Sequence, residues 1–486
     1  MISFYKNSQS NKLVITTVFI SLFYFLCLAI NLSPYFRGPI DSSLASQWPY
    51  YFVNTISKAW IFIPIFIGYL AIFNYIYKSN NIERKEWYLL FLLGLLTFVF
   101  QIALVYFSRF GIGVLFRRLV DPGINGYFTT AIKINDIGSF LNSYPEIINA
   151  RHLAQHSSGH TPGAVLLIKA YIGLLSILPT NALHYINNLQ VGWAKNLWTQ
   201  LTFNQRLAAI SLPFLLHLVS AFTIVPFYFL AKKIIKDSKN SLKITIIYSI
   251  TPSLSFFALI FDPFYAILAI VLVLLIYIGI DSKNNMYLFW AGCFTAFSLF
   301  FTAAILTVLI GAIVFGVISY FIENNKNVLG ICLYYIVGVL ISFLGLKLIG
   351  FDLIQSIIAV VHNQASRDYL PWLIFNPYDF FVYMGFPISL IFIYKTIYYL
   401  KQKFDLKDLN KRFLYVFWLV FIALIVSGSS RGEVGRIWLP FMFLPVILVG
   451  NFITNELRFN KLQFIILFSL IFIQVIIMEE FWVPIW

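Results

Sequence analysis

The feature that most constrains this chain is a series of apolar runs, recurring from Leu13 to Met478, most of them long enough to carry a helix across lipid. They fall at residues 13–32, 59–77, 87–107, 207–230, 244–260, 264–280, 287–301, 303–322, 328–348, 386–400, 413–426, 437–453 and 462–478. Such runs read as membrane-crossing helices, because only a helix satisfies its own backbone in hydrocarbon without a closed barrel. The expected fold is all-α and integral to the membrane. It comprises about thirteen spans in a single polytopic domain, residues 1–486, with amphipathic helices on the outer face. Composition excludes the soluble alternative: 60% hydrophobic and 11% charged residues leave too little polar surface to cover globules. The first run follows Lys6 and Lys12 and lacks a small-residue cleavage site, so it reads as a retained span and not as a signal peptide.

The net charge of +15, from 34 Lys+Arg against 19 Asp+Glu, would suit nucleic acid in a polar protein. In a chain this apolar it marks the inner side of a membrane, and DNA and RNA are excluded as partners. Thirteen spans with a cytoplasmic N-terminus put Arg84, Lys232, Lys233, Lys236, Lys239, Lys243 and the basic cluster 395–412 inside. This predicts an inner (plasma) membrane protein whose active face is periplasmic or extracellular. The apolar stretch 163–178 is read as re-entrant or interfacial, since a further crossing would move Lys232 to Lys243 outside. Cys27, Cys293 and Cys332 all lie in apolar runs, which indicates neither disulfides nor a Cys-ligated metal.

Lys and Arg divide unequally between the two sides. Three Arg fall inside, whereas Arg37, Arg109, Arg117, Arg118, Arg151, Arg206, Arg367, Arg431 and Arg436 fall outside. Inside, Lys is a topology signal. Outside, the planar fork of Arg suits bidentate capture of phosphate or carboxylate, which points to a phosphorylated ligand on the outer face. The outer segments are also the long ones, at 33–58, 108–206, 352–385 and 427–436, and a site is expected there.

Asp41 is the sole acid of the first outer loop, beside Arg37 and under Trp48, Tyr50 and Tyr51. It is either a solvated turn residue after Gly38-Pro39 or a general base for an acceptor hydroxyl. In the second loop Asp121 follows Arg117-Arg118 and precedes Pro122-Gly123, which fits a helix end with a local ion pair as well as a catalytic carboxylate. His152, His156 and His160 fall four apart and would align as metal ligands on a continuous helix. Ser157, Ser158, Gly159 and Pro162 argue against that helix, and no metal is assigned. His156 and His160 are read instead as contacts to sugar hydroxyls or phosphate at the start of the next helix. Trp48 and Tyr127 are taken as aromatic substrate contacts. Asp262, in ALIFDPFYAI, either caps a helix or faces a polar cavity. In SGSSRGEVGRIWLPF, Arg431, Glu433 and Arg436 either pair with one another or bind a lipid-linked phosphate, with Arg367 as a further phosphate contact.

Taken together, SPYFRGPID, HSSGHTPG and RGEVGRIWLPF resemble the GT-C superfamily of polytopic glycosyltransferases, related to protein mannosyltransferases and aminoarabinose transferases. HSSGHTPG is similar to a His-x3-His-Pro-Pro-Gly pattern of bacterial members, with Thr161-Pro162 in place of Pro-Pro. The resemblance implies a polyprenyl-phosphate sugar donor, a glycan, lipid or protein acceptor, membrane lipids as surroundings and no cofactor. It also implies an acidic catalytic residue in the first outer loop, which is Asp41. Several members carry paired acids there, and the reduction to one does not support metal assistance. Direct displacement by the acceptor would invert the anomeric centre. A retaining route needs a second carboxylate about 5 Å away, a role open to Asp121. The rival class is a lipid-linked sugar flippase or other secondary transporter, which predicts inverted repeats and Gly/Pro-broken spans.

Overall fold

The computed structural model describes residues 2–39, 47–48, 50, 55–153, 157–177, 195–323, 328–362 and 367–482. Helices of all lengths, and no strand, occur among these residues. The helix Leu439–Asn451 lies at the centre, with every residue buried, as expected of a helix that is apolar all round. Against it pack Asp262–Asp281, Tyr369–Leu400, Ser238–Ser249, Ile224–Ile235 and Leu409–Ser427. The first helix, Ile2–Ala29, is an outer element that lies along the last, Lys461–Phe481, and exposes Ile15, Phe19, Leu22 and Phe23.

This is a multi-pass membrane architecture. Among the described residues nine helices are long and apolar enough to cross, ten if Cys332–Leu348 and Leu353–His362, bent by 88°, form one span. The expected thirteen is not confirmed among the described residues. The run 244–260 is divided between Ser238–Ser249 and Pro252–Phe256, because Pro252 cannot continue the preceding helix. The run 287–301 becomes Asn285–Phe301, 17 residues long, and the run 303–322 becomes Ile305–Glu323. Gly163–Leu175 is short, at 13 residues. The segment 352–385, expected as a loop, holds Leu353–His362 and the first half of Tyr369–Leu400. Within 108–206 the described residues form the short helices Gly113–Val120, Tyr127–Lys133, Ile137–Asn142 and Tyr144–Asn149.

Local chemistry fixes the helix ends. Thr202 with Gln205, and Asn460 with Gln463, each form a capping box, so four amide N–H groups find side-chain acceptors at two helix starts. Asn285–Phe301 and Val328–Leu348 cross at Gly292 and Gly338. A Cβ at Gly292 would lie 2.1 Å from Tyr335 O, and one at Gly338 would lie 2.2 Å from Phe289 O. Small residues at such crossings let backbones touch, which is how helices associate where lipid removes the hydrophobic drive.

The two ends of the bundle differ in kind. At one end Lys232 pairs with Glu86 at 2.7 Å, Lys461 donates to Asn74 at 2.7 Å and Lys395 donates to Leu448 O at 2.8 Å. At the other, Glu480 accepts from Thr55 N at 3.1 Å, and the Arg-rich segment before Leu439 closes the central helix.

The 32-residue helix Tyr369–Leu400 is broken at Gly385 (φ 110°, ψ 108°), two residues before Pro387. Gln474 of the last helix bridges the break: its Oε1 accepts from Phe386 N at 2.8 Å and its Nε2 donates to Val382 O at 2.9 Å. Replacing Gln474 by Leu orphans both backbone groups at a cost of about 1 to 3 kcal/mol each. Thermal unfolding in detergent is expected to show a clear drop for Gln474→Leu and a smaller one for Gln474→Glu. An unchanged midpoint for the Leu variant would show that the break needs no bridge.

Candidate functional site

The site begins with a turn. Gly432 (φ 89°) and Glu433 (φ 57°) are both left-handed, and together they swing the chain from Ser430 into the one-turn helix Val434–Ile437. Only glycine fits at 432: a Cβ would sit 2.2 Å from Arg367 Nη1 and 2.9 Å from the Trp372 ring. A left-handed Glu costs about 1 to 2 kcal/mol, so its neighbours must hold it there. They do so through its carboxylate. Arg367 Nη2 donates to one Glu433 oxygen at 2.7 Å and Arg436 Nη2 to the other at 2.6 Å. Asn376 locks the turn from the side, donating to Ser430 O at 2.7 Å and accepting from Gly432 N at 3.0 Å.

Arg431 takes no part in that bridge. Its Nε donates to Gly428 O at 3.2 Å and its Nη1 to Arg367 O at 2.5 Å, with the guanidinium 5.6 Å over the Tyr369 ring. The internal pairing expected of Arg431, Glu433 and Arg436 thus exists with Arg367 in the place of Arg431. Arg367 also donates to Arg431 O at 2.8 Å, so the two arginines latch each other's backbone.

Behind Arg436 stands Asp262, 4.0 Å from Nη1 and 4% exposed. It is the first residue of Asp262–Asp281, with Phe261 at the capping position, so its carboxylate faces the guanidinium and does not cap. Burial opposes the charge of Arg436, but Asp262 and then Glu433 outweigh it and raise its pKa above the usual value. Burial, then Asp262, also pushes the Tyr127 phenol up. Tyr127 packs 5.5 Å from Phe261 and 5.9 Å from His160, and His160 lies 5.1 Å from Tyr265 and hydrogen-bonds Thr302 Oγ1 at 3.2 Å. Six residues chosen from the sequence, Tyr127, His160, Asp262, Arg367, Glu433 and Arg436, therefore meet at one end of the central helix.

Others are placed elsewhere. Arg37 clasps its own loop, donating to Asn31 Oδ1 at 3.1 Å and Trp48 O at 2.7 Å. Trp48 is buried, 5.4 Å from Tyr383 and 6.5 Å from Phe257. Asp121 ends Gly113–Val120, accepts from Gly123 N at 2.9 Å and pairs loosely with Arg117 at 3.8 Å, in keeping with the helix-end alternative. Asp41 and His156 lie outside the described residues. Residues 157–159 form a 3-10 turn and the next helix starts only at Gly163, so the continuous helix needed to align the three histidines is lacking. Among the described residues no group of three His, Cys, Asp or Glu side chains is placed to hold a metal.

Sequence reasoning missed Arg118, Asp379 and Glu479 as site residues. All three are buried at the same end of the bundle. Asp379 and Glu479 lie inside spans, where an acid in an apolar run was itself the available signal. Arg118 was masked by Arg117, its neighbour, which turns outward while Arg118 turns in.

Glu433 is the linchpin of the turn, and losing it leaves the buried Arg436 and the half-buried Arg367 without their shared counter-ion. Breaking a buried pair from one side costs about 3 to 5 kcal/mol. Denaturation of Glu433→Gln in detergent is expected to show a loss of that size. Arg117→Ala, at an exposed position with a loose 3.8 Å pair to Asp121, should stay within about 1 kcal/mol of the parent. Equal, small losses for both would mean that the bridge does not hold this end together.

The chain matches no protein-family model, no curated protein and no solved structure.

Proposed function

We propose that this chain is a membrane glycosyltransferase that moves a sugar from a polyprenyl-phosphate donor to a hydroxyl of a lipid, glycan or protein acceptor. One observation carries the reading: cationic and acidic side chains from three distant stretches of sequence converge at a single end of the bundle. A donor whose tail stays in lipid presents its phosphate at that depth. Glu433 fixes the planes of Arg367 and Arg436, so their charge is oriented before the ligand arrives, the condition under which it best stabilises a leaving phosphate. Arg431 is half-buried and commits its Nε and Nη1 to backbone carbonyls, which leaves Nη2 without a hydrogen bond among the described residues. That nitrogen is the first contact for the phosphate.

In this reaction a carboxylate takes the proton of the acceptor hydroxyl, whose oxygen attacks the anomeric carbon. The bond to the phosphate oxygen breaks, and the electron pair leaves with the polyprenyl phosphate. Asp41 is the base in this reading, and direct displacement inverts the centre. The Lys-rich end faces the cytoplasm and the Arg-rich end the opposite side.

A second reading has an observation of its own. The break at Gly385 and the 88° bend near Leu353 are of the kind that transporters place at substrate sites. A flippase would move labelled lipid-linked sugar between leaflets of proteoliposomes without forming product.

In proteoliposomes holding a polyprenyl-phosphate sugar and a hydroxyl acceptor, Asp41→Asn is expected to lose about 100-fold to 10,000-fold in rate with an unchanged melting temperature. Arg431→Ala should weaken donor use by about ten-fold to a hundred-fold, and Arg431→Lys less, since ammonium lacks the fork. Full transfer by Asp41→Asn would remove that base from the mechanism. Leaflet exchange without product, in the parent chain, would favour the transporter.

A further inference from the structure

Three ionisable side chains that the Glu433 bridge does not use lie buried at this end of the bundle. Asp379 stands one turn before Tyr383 on Tyr369–Leu400, Glu479 comes from the end of Lys461–Phe481, and Arg118 from Gly113–Val120. Asp379 and Glu479 both act electrostatically on Tyr383, and Glu479 is the charge that acts on Arg118. The three are 3%, 6% and 7% exposed, and none of them has a hydrogen-bond or ion-pair partner among the described residues. Arg118 Nε and the Tyr383 hydroxyl are fully buried and equally unpartnered there.

Buried polar groups are nearly always hydrogen-bonded, and a buried guanidinium without a partner is among the costliest exceptions. Burial lowers the Arg118 pKa to about 10, partly countered by Glu479, so the group keeps its charge at neutral pH. Arg367 and Arg436 differ from it in one respect. Their forks already hold Glu433, whereas the donors of Arg118 have no protein acceptor among the described residues. Trp48 and Phe257 supply apolar walls 5.4 Å and 5.5 Å from the Tyr383 ring.

We propose that Arg118, Glu479 and Asp379 form a binding site for a phosphate ester that carries hydroxyl groups, with Arg118 gripping phosphate oxygens and the two carboxylates accepting from hydroxyls. The sugar-phosphate class of this ligand rests on the transferase reading. The phosphate contact itself does not, since it follows from a buried cation with unused N–H donors. Arg118 is then a binding residue, and Glu479 both limits its charge when the site is empty and orients the ligand's hydroxyls when it is filled.

The test uses the full-length chain in detergent and isothermal titration with farnesyl phosphate, farnesol and inorganic phosphate. Farnesyl phosphate should bind and farnesol should not. Arg118→Gln should weaken farnesyl phosphate by about ten-fold to a hundred-fold, Arg118→Lys should lose less, and Glu479→Gln should bind at least as tightly as the parent because an opposing charge is gone. Inorganic phosphate binding as tightly, with the same dependence on Arg118, would support the site and name free phosphate as its source. Equal affinity for farnesyl phosphate in the parent, Arg118→Gln and Arg118→Lys would overturn the proposal, as would equal binding of farnesol. Melting temperatures taken alongside separate a structural pair, which would lower stability in Arg118→Gln and Glu479→Gln together and leave affinity untouched. Farnesyl phosphate held through Arg118 by a chain that transfers no sugar would retire the transferase reading and keep the site. Transfer by Arg118→Gln with unchanged donor KM would do the reverse.

Discussion

A backbone inside lipid has no water to fall back on, and the break at Gly385 is where this constraint bears hardest on the structure. Two backbone groups that an unbroken helix would pair are satisfied by one side chain, Gln474, which donates and accepts at once. Ser389 adds a bond to Gly385 O at 3.1 Å. With the break secured from the last helix, the first half of Tyr369–Leu400 is free to take its own direction. That half carries Trp372, Asn376, Asp379 and Tyr383, and Arg367 immediately precedes it. The polar end of the molecule is therefore assembled on a segment whose course is set by an amide bridge buried among apolar helices.

The Glu433 bridge depends on this course. Arg367 reaches Glu433 only because the segment leading into Tyr369 runs beside the turn at Gly432, where any side chain would collide with the guanidinium. Gly435 permits a second close approach three residues on, since a Cβ there would meet the Tyr383 ring at 2.4 Å. Ion pairs so buried are weak evidence for stability, because desolvation cancels much of their attraction. A left-handed Glu adds strain. A chain that keeps both at the mouth of its central helix is holding charge in a fixed orientation, and the strain points from the outlier toward function.

Much of the fold was legible in the sequence, since apolar length translates directly into buried helix. Where legibility failed, the cause was local. A hydropathy window passes over Thr251-Pro252, yet Pro252 splits the expected span. The partner of Glu433 was unreadable for another reason: Arg431 is two residues away, but the turn points it at backbone carbonyls, and the pairing goes to Arg367, 66 residues upstream. The convergence of Tyr127, His160 and Asp262 with the RGEVGR segment was anticipated as chemistry but not as contact. Arg118 shows the limit most clearly. Adjacent residues on a helix point about 100° apart, so Arg117 and Arg118 share a sequence motif and no environment.

The charges at this end fall into two kinds by whether the protein itself satisfies them. Arg367, Glu433 and Arg436 are bonded to one another, so their positions are set before any ligand binds. Arg118, Asp379 and Glu479 are all buried, and no hydrogen bond or ion pair satisfies them among the described residues. The two sets are neighbours: Asp379 feels the charge of Arg367, and Tyr383, one turn after Asp379, packs on the glycine between Glu433 and Arg436. A protein under selection for stability alone would have replaced the second set by apolar residues at little cost, since such swaps in buried ion clusters are often neutral or stabilising. The bonded set therefore reads as the scaffold and the unbonded set as the group that waits for something to bind.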